Sequence, residues 1–248
     1  MIPSRGATVA PGTRREDGFR ERGGATTRLE AFVDAAFAFA VTLLIVSFDR
    51  IPDSTAALVV ALKGVPAFAA SFLLIASFWR GHVDWSGRYG LDHREVQRLS
   101  LLLVFVALVF VFPLRMMFAT LFAFVSDGWF PADLRFATLA DVRIFFFAFA
   151  IGLGSMGMTM LLLYRSAWQR REALALDAAE IAMTRIELMR WAGVPAIAAV
   201  SVLMCASETL VTIGAPGFVF FALNIGQWWL DRRRERVKRA AFSAVADG

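Results

Sequence analysis

One cysteine, Cys205, in 248 residues leaves no partner for an intrachain disulfide, and only two histidines accompany it, His82 and His93. That supply is too thin for a structural zinc site, which takes four Cys or His ligands. Enzyme signatures are missing too: there is no G-x-S-x-G, no H-E-x-x-H, no phosphate-binding P-loop and no dinucleotide fingerprint. No T-V-G-Y-G run offers a carbonyl filter, and no segment carries arginine at every third position as a voltage sensor does. No cofactor motif or metal site is expected, and the chain does not read as an enzyme. An Asp84, His82, Asp92, His93 cluster is the nearest thing to a polar reactive site, and it reads better as an anchor for helix ends. The first 27 residues lack the apolar core of a cleaved signal peptide; being Gly- and Arg-rich, they read as a disordered cytosolic tail.

What the chain has in excess is hydrophobicity. Of its residues 58% are hydrophobic, with 24 Phe and 7 Trp. Runs of 18 or more residues with few charges are membrane-span candidates, because about 20 helical residues cross a hydrocarbon core of roughly 30 Å. Hydropathy gives six candidate spans, near 29–48, 56–80, 99–125, 142–164, 191–213 and 215–231, the last of them short and parted from the fifth only by a tight turn at Gly214, Pro216 and Gly217. The fold class is therefore all-α, a polytopic membrane protein with six transmembrane helices over 28–231. The mixed-charge stretch 166–190 is expected to be a cytosolic linker helix, and 232–248 a basic cytosolic C-terminal tail.

Charge placement orients this layout. Of 26 Lys and Arg, 21 fall in four segments: six up to Arg28, four from Arg80 to Arg98, five from Arg165 to Arg190, and six in "DRRRERVKR". These alternate with the proposed spans, so the positive-inside rule places both termini and both basic loops in the cytoplasm. The cations split among four juxtamembrane segments, which argues against nucleic acid as a partner and for membrane lipids with anionic headgroups.

The informative stretch is "RLEAFVDAAFAFAVTLLIVSF", residues 28–48. It reads as a span, yet Arg28, Glu30 and Asp34 sit in its first two turns. Asp34 lies about 9 Å along the helix from Arg28. An ionised Asp inside a span costs on the order of 2.5–3.5 kcal/mol, so it needs a partner or water. Arg28 and Asp34 are six apart and do not stack on one helix; His82 and Trp79 on the second span are the candidate partners. Beyond Asp34, the residues Ala35, Ala38, Phe39, Thr42 and Val46 recur at intervals of three and four and share one face. That face suits helix packing, another copy of itself, or water. Periodicity alone favours packing.

Three motifs carry a resemblance. "RLEAFVD" resembles the R-x-x-x-F-S-D signature of the endosomal/lysosomal potassium channel family, transmembrane protein 175 type, through Arg28, Phe32 and Asp34, with Val33 replacing the serine. "SFLLIASFWRGH" is similar to the family's S-F-x-x-I-x-x-F-W-x-x-H, through Ser71, Phe72, Ile75, Phe78, Trp79 and His82. "RLSLLLVFVALVFVFP" carries the Arg98 and Pro113 pattern, with Ser100 where Asn is common. The resemblance implies a bacterial single-repeat member in the plasma membrane: a homotetramer whose first helix lines a central pore passing K⁺, with H⁺ permeability as a further expectation. It implies selectivity by side chains, with Phe39 at the hydrophobic constriction, Thr42 beside the ion path and Val46 one turn beyond. Arg28, Phe32, Asp34, Trp79 and His82 form the signature polar network. Phe39 stands where Ile or Leu is usual, so a non-conducting structural protein on the same fold is the alternative, and a secondary transporter a further one. Pro66 and the "GLGSMGM" run are the hints of broken helices that a transporter would want.

Overall fold

The computed structural model describes residues 15–20, 22, 26–46, 52–132 and 134–246, and every regular element in it is a helix. Helix α1 spans Arg28–Val46. Its start is a reciprocal cap: the Glu30 N–H donates to Thr27 Oγ1 at 3.0 Å, and the Thr27 N–H donates to the Glu30 carboxylate at 2.5 Å. Glu30 therefore owes its place in this apolar segment to the helix terminus, where two orphan amides need acceptors. Helix α2, Thr55–Lys63, is capped by Ser54 and joins α3, Val65–Tyr89, at Gly64. Pro66 sits in the first turn of α3, where its missing N–H costs nothing, so it marks a helix start. Gly90 ends α3 in the left-handed conformation at φ 56°, which a glycine adopts without strain.

Helix α4 is Arg94–Val125, with Pro113 inside it; α5 is Leu139–Gln169 and α6 is Ala178–Met204. Two short helices, α7 (Glu208–Thr212) and α8 (Ala215–Phe218), and a 3₁₀ turn over Val219–Phe221 lead into α9, Ala222–Ala246. Four helical segments are long and apolar enough to cross a bilayer: Thr55–Tyr89, Arg94–Val125, Leu139–Gln169 and Ala178–Met204. The longest single helix, α4, reaches about 48 Å and exceeds the hydrocarbon thickness, so its ends project into the headgroups.

The separate linker helix expected over 166–190 does not form. Helix α5 runs through to Gln169, a turn follows with Ala175 at φ 48°, and α6 begins at Ala178 under a capping box of Asp177 and Glu180. From there the buried face Met183, Glu187, Trp191, Val194, Ala198 repeats at helical spacing without interruption, so linker and fifth span are one helix. The stretch 215–231 follows Gly214 (φ 73°) and is broken by the 3₁₀ turn, and α9 continues through the residues expected to be a tail.

Helix α5 is central, packing on α4 and α6; α1 lies on α3 and α4, and α9 on α6. The "GLGSMGM" glycines serve this packing in an unbroken helix. A Cβ on Gly157 would stand 2.5 Å from Val194 Cβ, and one on Gly154 would stand 2.8 Å from Ala198 Cβ. Small residues let α5 and α6 approach closely, which matters in lipid because apolar helices gain little by leaving apolar tails.

Candidate functional site

Helix α1 has two opposite faces. Val33, Phe37, Ala40 and Leu44 are buried to 3% exposure or less against the bundle. On the other side Ala31, Phe32, Ala35, Ala38, Phe39, Thr42 and Ile45 are exposed, with Phe39 at 56%. The face read from sequence as Ala35, Ala38, Phe39 and Thr42 is thus the one this chain leaves uncovered; the side chain of Val46 lies outside the described residues. The Thr42 hydroxyl donates to the Ala38 carbonyl at 3.1 Å, leaving its own oxygen lone pairs toward the open side.

Val33, the departure from the signature serine, is fully buried, a place that suits an apolar side chain. Asp34 falls on the flank between the two faces, and the Trp79 indole N–H of α3 donates to its carboxylate at 2.8 Å. His82, one turn further along α3 and 2% exposed, pairs with the Ser100 hydroxyl of α4 at 3.0 Å. The Ser86 hydroxyl donates to Glu30. Three successive turns of α3 thereby tie α1 and α4 by side-chain hydrogen bonds. Arg28 does not join them: it is exposed and has no polar partner among the described residues. Phe32 also stays outside, 53% exposed on the open face. The Asp84, His82, Asp92, His93 grouping does not assemble either. Asp84 pairs with Arg80, Asp92 accepts from Gln97, and His93 meets Glu95.

Two elements of the site were not anticipated. At the far end of α1, Arg115 of α4, 7% exposed, donates to the Leu44 carbonyl at 3.4 Å. The C-terminal end of a helix carries the negative end of its dipole, so a buried cation there is well placed. An arginine inside an apolar run was the available signal. The second element is a charged cluster at the basic end. Arg88 of α3, 1% exposed, reaches Asp17 at 2.8 Å, Glu187 of α6 at 3.1 Å and the Tyr164 hydroxyl of α5 at 3.1 Å. Arg234 of α9 also meets Glu187, and Arg22 binds Glu180 at 2.6 Å. Residues 15–20 and 22 fall in the stretch expected to be disordered, yet they are packed here, with Phe19 at 0% exposure. The disorder expectation fails for them because their partners lie far along the chain. Burial pushes the Asp17 carboxyl up, but the Arg88 hydrogen bond and charge, with the Phe19 N–H and Arg15, outweigh it and hold the group below its ordinary 3.8.

All four basic segments thus meet at one end of the bundle, while Arg143, Glu208, Lys63 and Trp129 pair at the other. An all-helical membrane bundle with charge sorted to one end, and with one small-residue helix face left open beside an internal polar anchor, defines an integral membrane protein of the channel type. The comparisons agree. Residues 28–114 match the family model "Endosomal/lysosomal potassium channel TMEM175". A potassium channel of Marivirga tractuosa is 30% identical over 212 residues, 82% of this chain and 85% of that protein. The chain belongs to this potassium channel family, and its members are channels, not enzymes. The fold is also that of a solved structure, a variant of the potassium channel MtTMEM175 bound to a nanobody–MBP fusion, at TM-score 0.74, 23% identity, and coverage of 91% of this chain and 99% of that one.

Proposed function

We propose that this protein is a potassium-permeable leak channel, assembled as a homotetramer of six-span subunits, with α1 of each subunit lining the pore. One observation carries the reading. In a single chain, α1 buries one face on its own bundle and leaves the opposite face uncovered, with three alanines, the Thr42 hydroxyl, Ile45 and the rings of Phe32 and Phe39. In this reading α1 and the 215–231 stretch join the four long segments as spans, and Arg28 and Phe32, with no polar or ring partner among the described residues, find their contacts on neighbouring subunits. The cytoplasm holds both termini, as the basic end suggests, and the membrane is the bacterial plasma membrane.

Four Phe39 rings converge on the axis as the constriction and gate it by dewetting. Thr42 offers oxygen lone pairs to a partly dehydrated K⁺ one turn on, and Val46 follows. Selection is by side chains, without a carbonyl filter. Asp34, engaged by Trp79, anchors α1 and is not an ion ligand. A path narrow enough to strip water from K⁺ also passes protons along residual water.

The test is flux. Purified protein is reconstituted in K⁺-loaded liposomes, and K⁺ efflux is followed with Na⁺ and H⁺ controls, alongside Phe39→Ala. Efflux from the wild type, raised in Phe39→Ala, supports the pore reading. Unchanged flux in a folded Phe39→Ala tetramer removes Phe39 from the constriction. Silence in both from a verified tetramer leaves a structural protein on a channel fold.

A further inference from the structure

Helix α9 is as two-faced as α1, in a different way. Leu230 is buried, Val237 packs on the core, and Arg234 pairs with Glu187, so one side of α9 is occupied by α6 and its neighbours. The opposite side is exposed among the described residues. At 3.6 residues per turn it reads Ile225, Trp228 and Trp229 in its first half, 74%, 54% and 52% exposed. Arg232, Arg233, Arg236 and Arg239 continue the same stripe, all exposed, and none has a carboxylate partner among the described residues. Of the acidic residues of α9, Asp231 pairs with Arg190, and Glu235, at the edge of the stripe, approaches Lys238 at 4.0 Å. The change from apolar to cationic is abrupt, and the two parts are stacked. The Arg232 guanidinium carbon sits 3.7 Å from the Trp228 ring centre, and that of Arg233 sits 5.7 Å from Trp229.

We propose that this face of α9 is a docking site for anionic phospholipid of the protein's own bilayer, with acyl chain against Ile225, Trp228 and Trp229, and phosphate-bearing headgroups on the four arginines. Charge complementarity and polarity order select this occupant. A stripe about 20 Å long that begins apolar, passes through tryptophan and ends in four unpaired cations matches hydrocarbon, interface and anionic headgroup in sequence. The face belongs to an integral membrane chain and directly follows the segment that packs on its spans. A second copy of the same face is the wrong partner, because symmetric apposition sets arginine against arginine. Acidic polymers in solution match the arginines but leave the exposed tryptophans in water.

The experiment is tryptophan quenching in vesicles. Full-length protein is reconstituted with brominated phosphatidylglycerol or with brominated phosphatidylcholine at equal mole fraction. The wild type is expected to be quenched more by the anionic lipid, and the preference should weaken as salt screens it. Replacing Arg232, Arg233, Arg236 and Arg239 by Gln should abolish the preference, with a loss of about fivefold in relative affinity per arginine. The matching four-Lys variant should retain most of it. Equal quenching by the two lipids in the wild type, or a preference that persists in the four-Gln variant, overturns the proposal. So does a short RNA that occupies the same arginines more tightly than phosphatidylglycerol.

Discussion

The Trp79 indole N–H meets the Asp34 carboxylate at 2.8 Å, across the boundary between α3 and α1. This contact explains a carboxylate in an otherwise apolar helix. The charge is partnered, it sits on the flank of α1, and it ties the helix that carries the open face to the helix behind it. An interhelical hydrogen bond of this kind stabilises a membrane bundle by about 0.6–1.7 kcal/mol. Trp79→Phe and Asp34→Ala are therefore expected to lower thermal stability and the yield of assembled protein by similar amounts, and the double variant to cost less than the sum. Size-exclusion profiles and melting in detergent measure this. An Asp34→Ala tetramer of normal stability with altered K⁺/Na⁺ ratio would return Asp34 to the ion path.

Arg88 is the centre of the basic-end cluster, and its removal takes from Glu187 and Asp17 their closest cation, leaving only the longer contacts to Arg234 and Arg190 and to Arg15. Breaking a buried pair from one side costs about 3–5 kcal/mol. Arg88→Met is expected to abolish or sharply reduce folded yield. The double change Arg88→Met with Glu187→Met should recover part of the loss, since it removes the orphaned charge as well. No recovery in the double variant would show that Arg88 acts through Asp17 and the packing of Phe19 instead.

Asp17 gives the cluster a pH signature. Its carboxyl is held below the ordinary 3.8, so the contribution to stability is complete above that value and is lost as pH falls through the lower, folded-state value. Wild type should exceed Asp17→Asn in melting temperature at neutral pH. The gap should close on acidification below 3.8. Other carboxylates titrate in the same range, so the quantity to follow is the difference between the two proteins. A gap that stays constant with pH would mean that the Asp17 charge is not what Arg88 recognises.

The open face of α1 was legible because period and residue size are local: Ala35, Ala38, Phe39 and Thr42 fall on one side of any helix built from this segment. The Trp79 partnership with Asp34 was legible because a carboxylate in hydrocarbon demands a donor at the same depth. The packed residues near Phe19 were not, since their Gly- and Arg-rich surroundings read as unfolded and their partners Arg88 and Glu180 lie up to 160 residues away. The unbroken α6 was missed for a related reason. Its charged half reads as a surface linker until Glu180 and Glu187 are seen to be buried with arginines from elsewhere.

Arg115 offers the sharpest test of how α1 is held at its second end. Its Nη1 donates to the Leu44 carbonyl, two residues beyond Thr42, from inside a span where no water can substitute. Arg115→Met keeps the bulk and removes the charged donor, at a cost of about 1.5–3 kcal/mol for a hydrogen bond made by a charged group. The loss should be local: faster backbone hydrogen exchange over residues 42–46, with α4 and α5 unaffected. Arg115→Lys, which retains a cation but not the fork, should be intermediate. If exchange in the last turn of α1 is the same in Arg115→Met as in the wild type, the arginine serves only α4, and α1 is positioned from the Trp79 end alone.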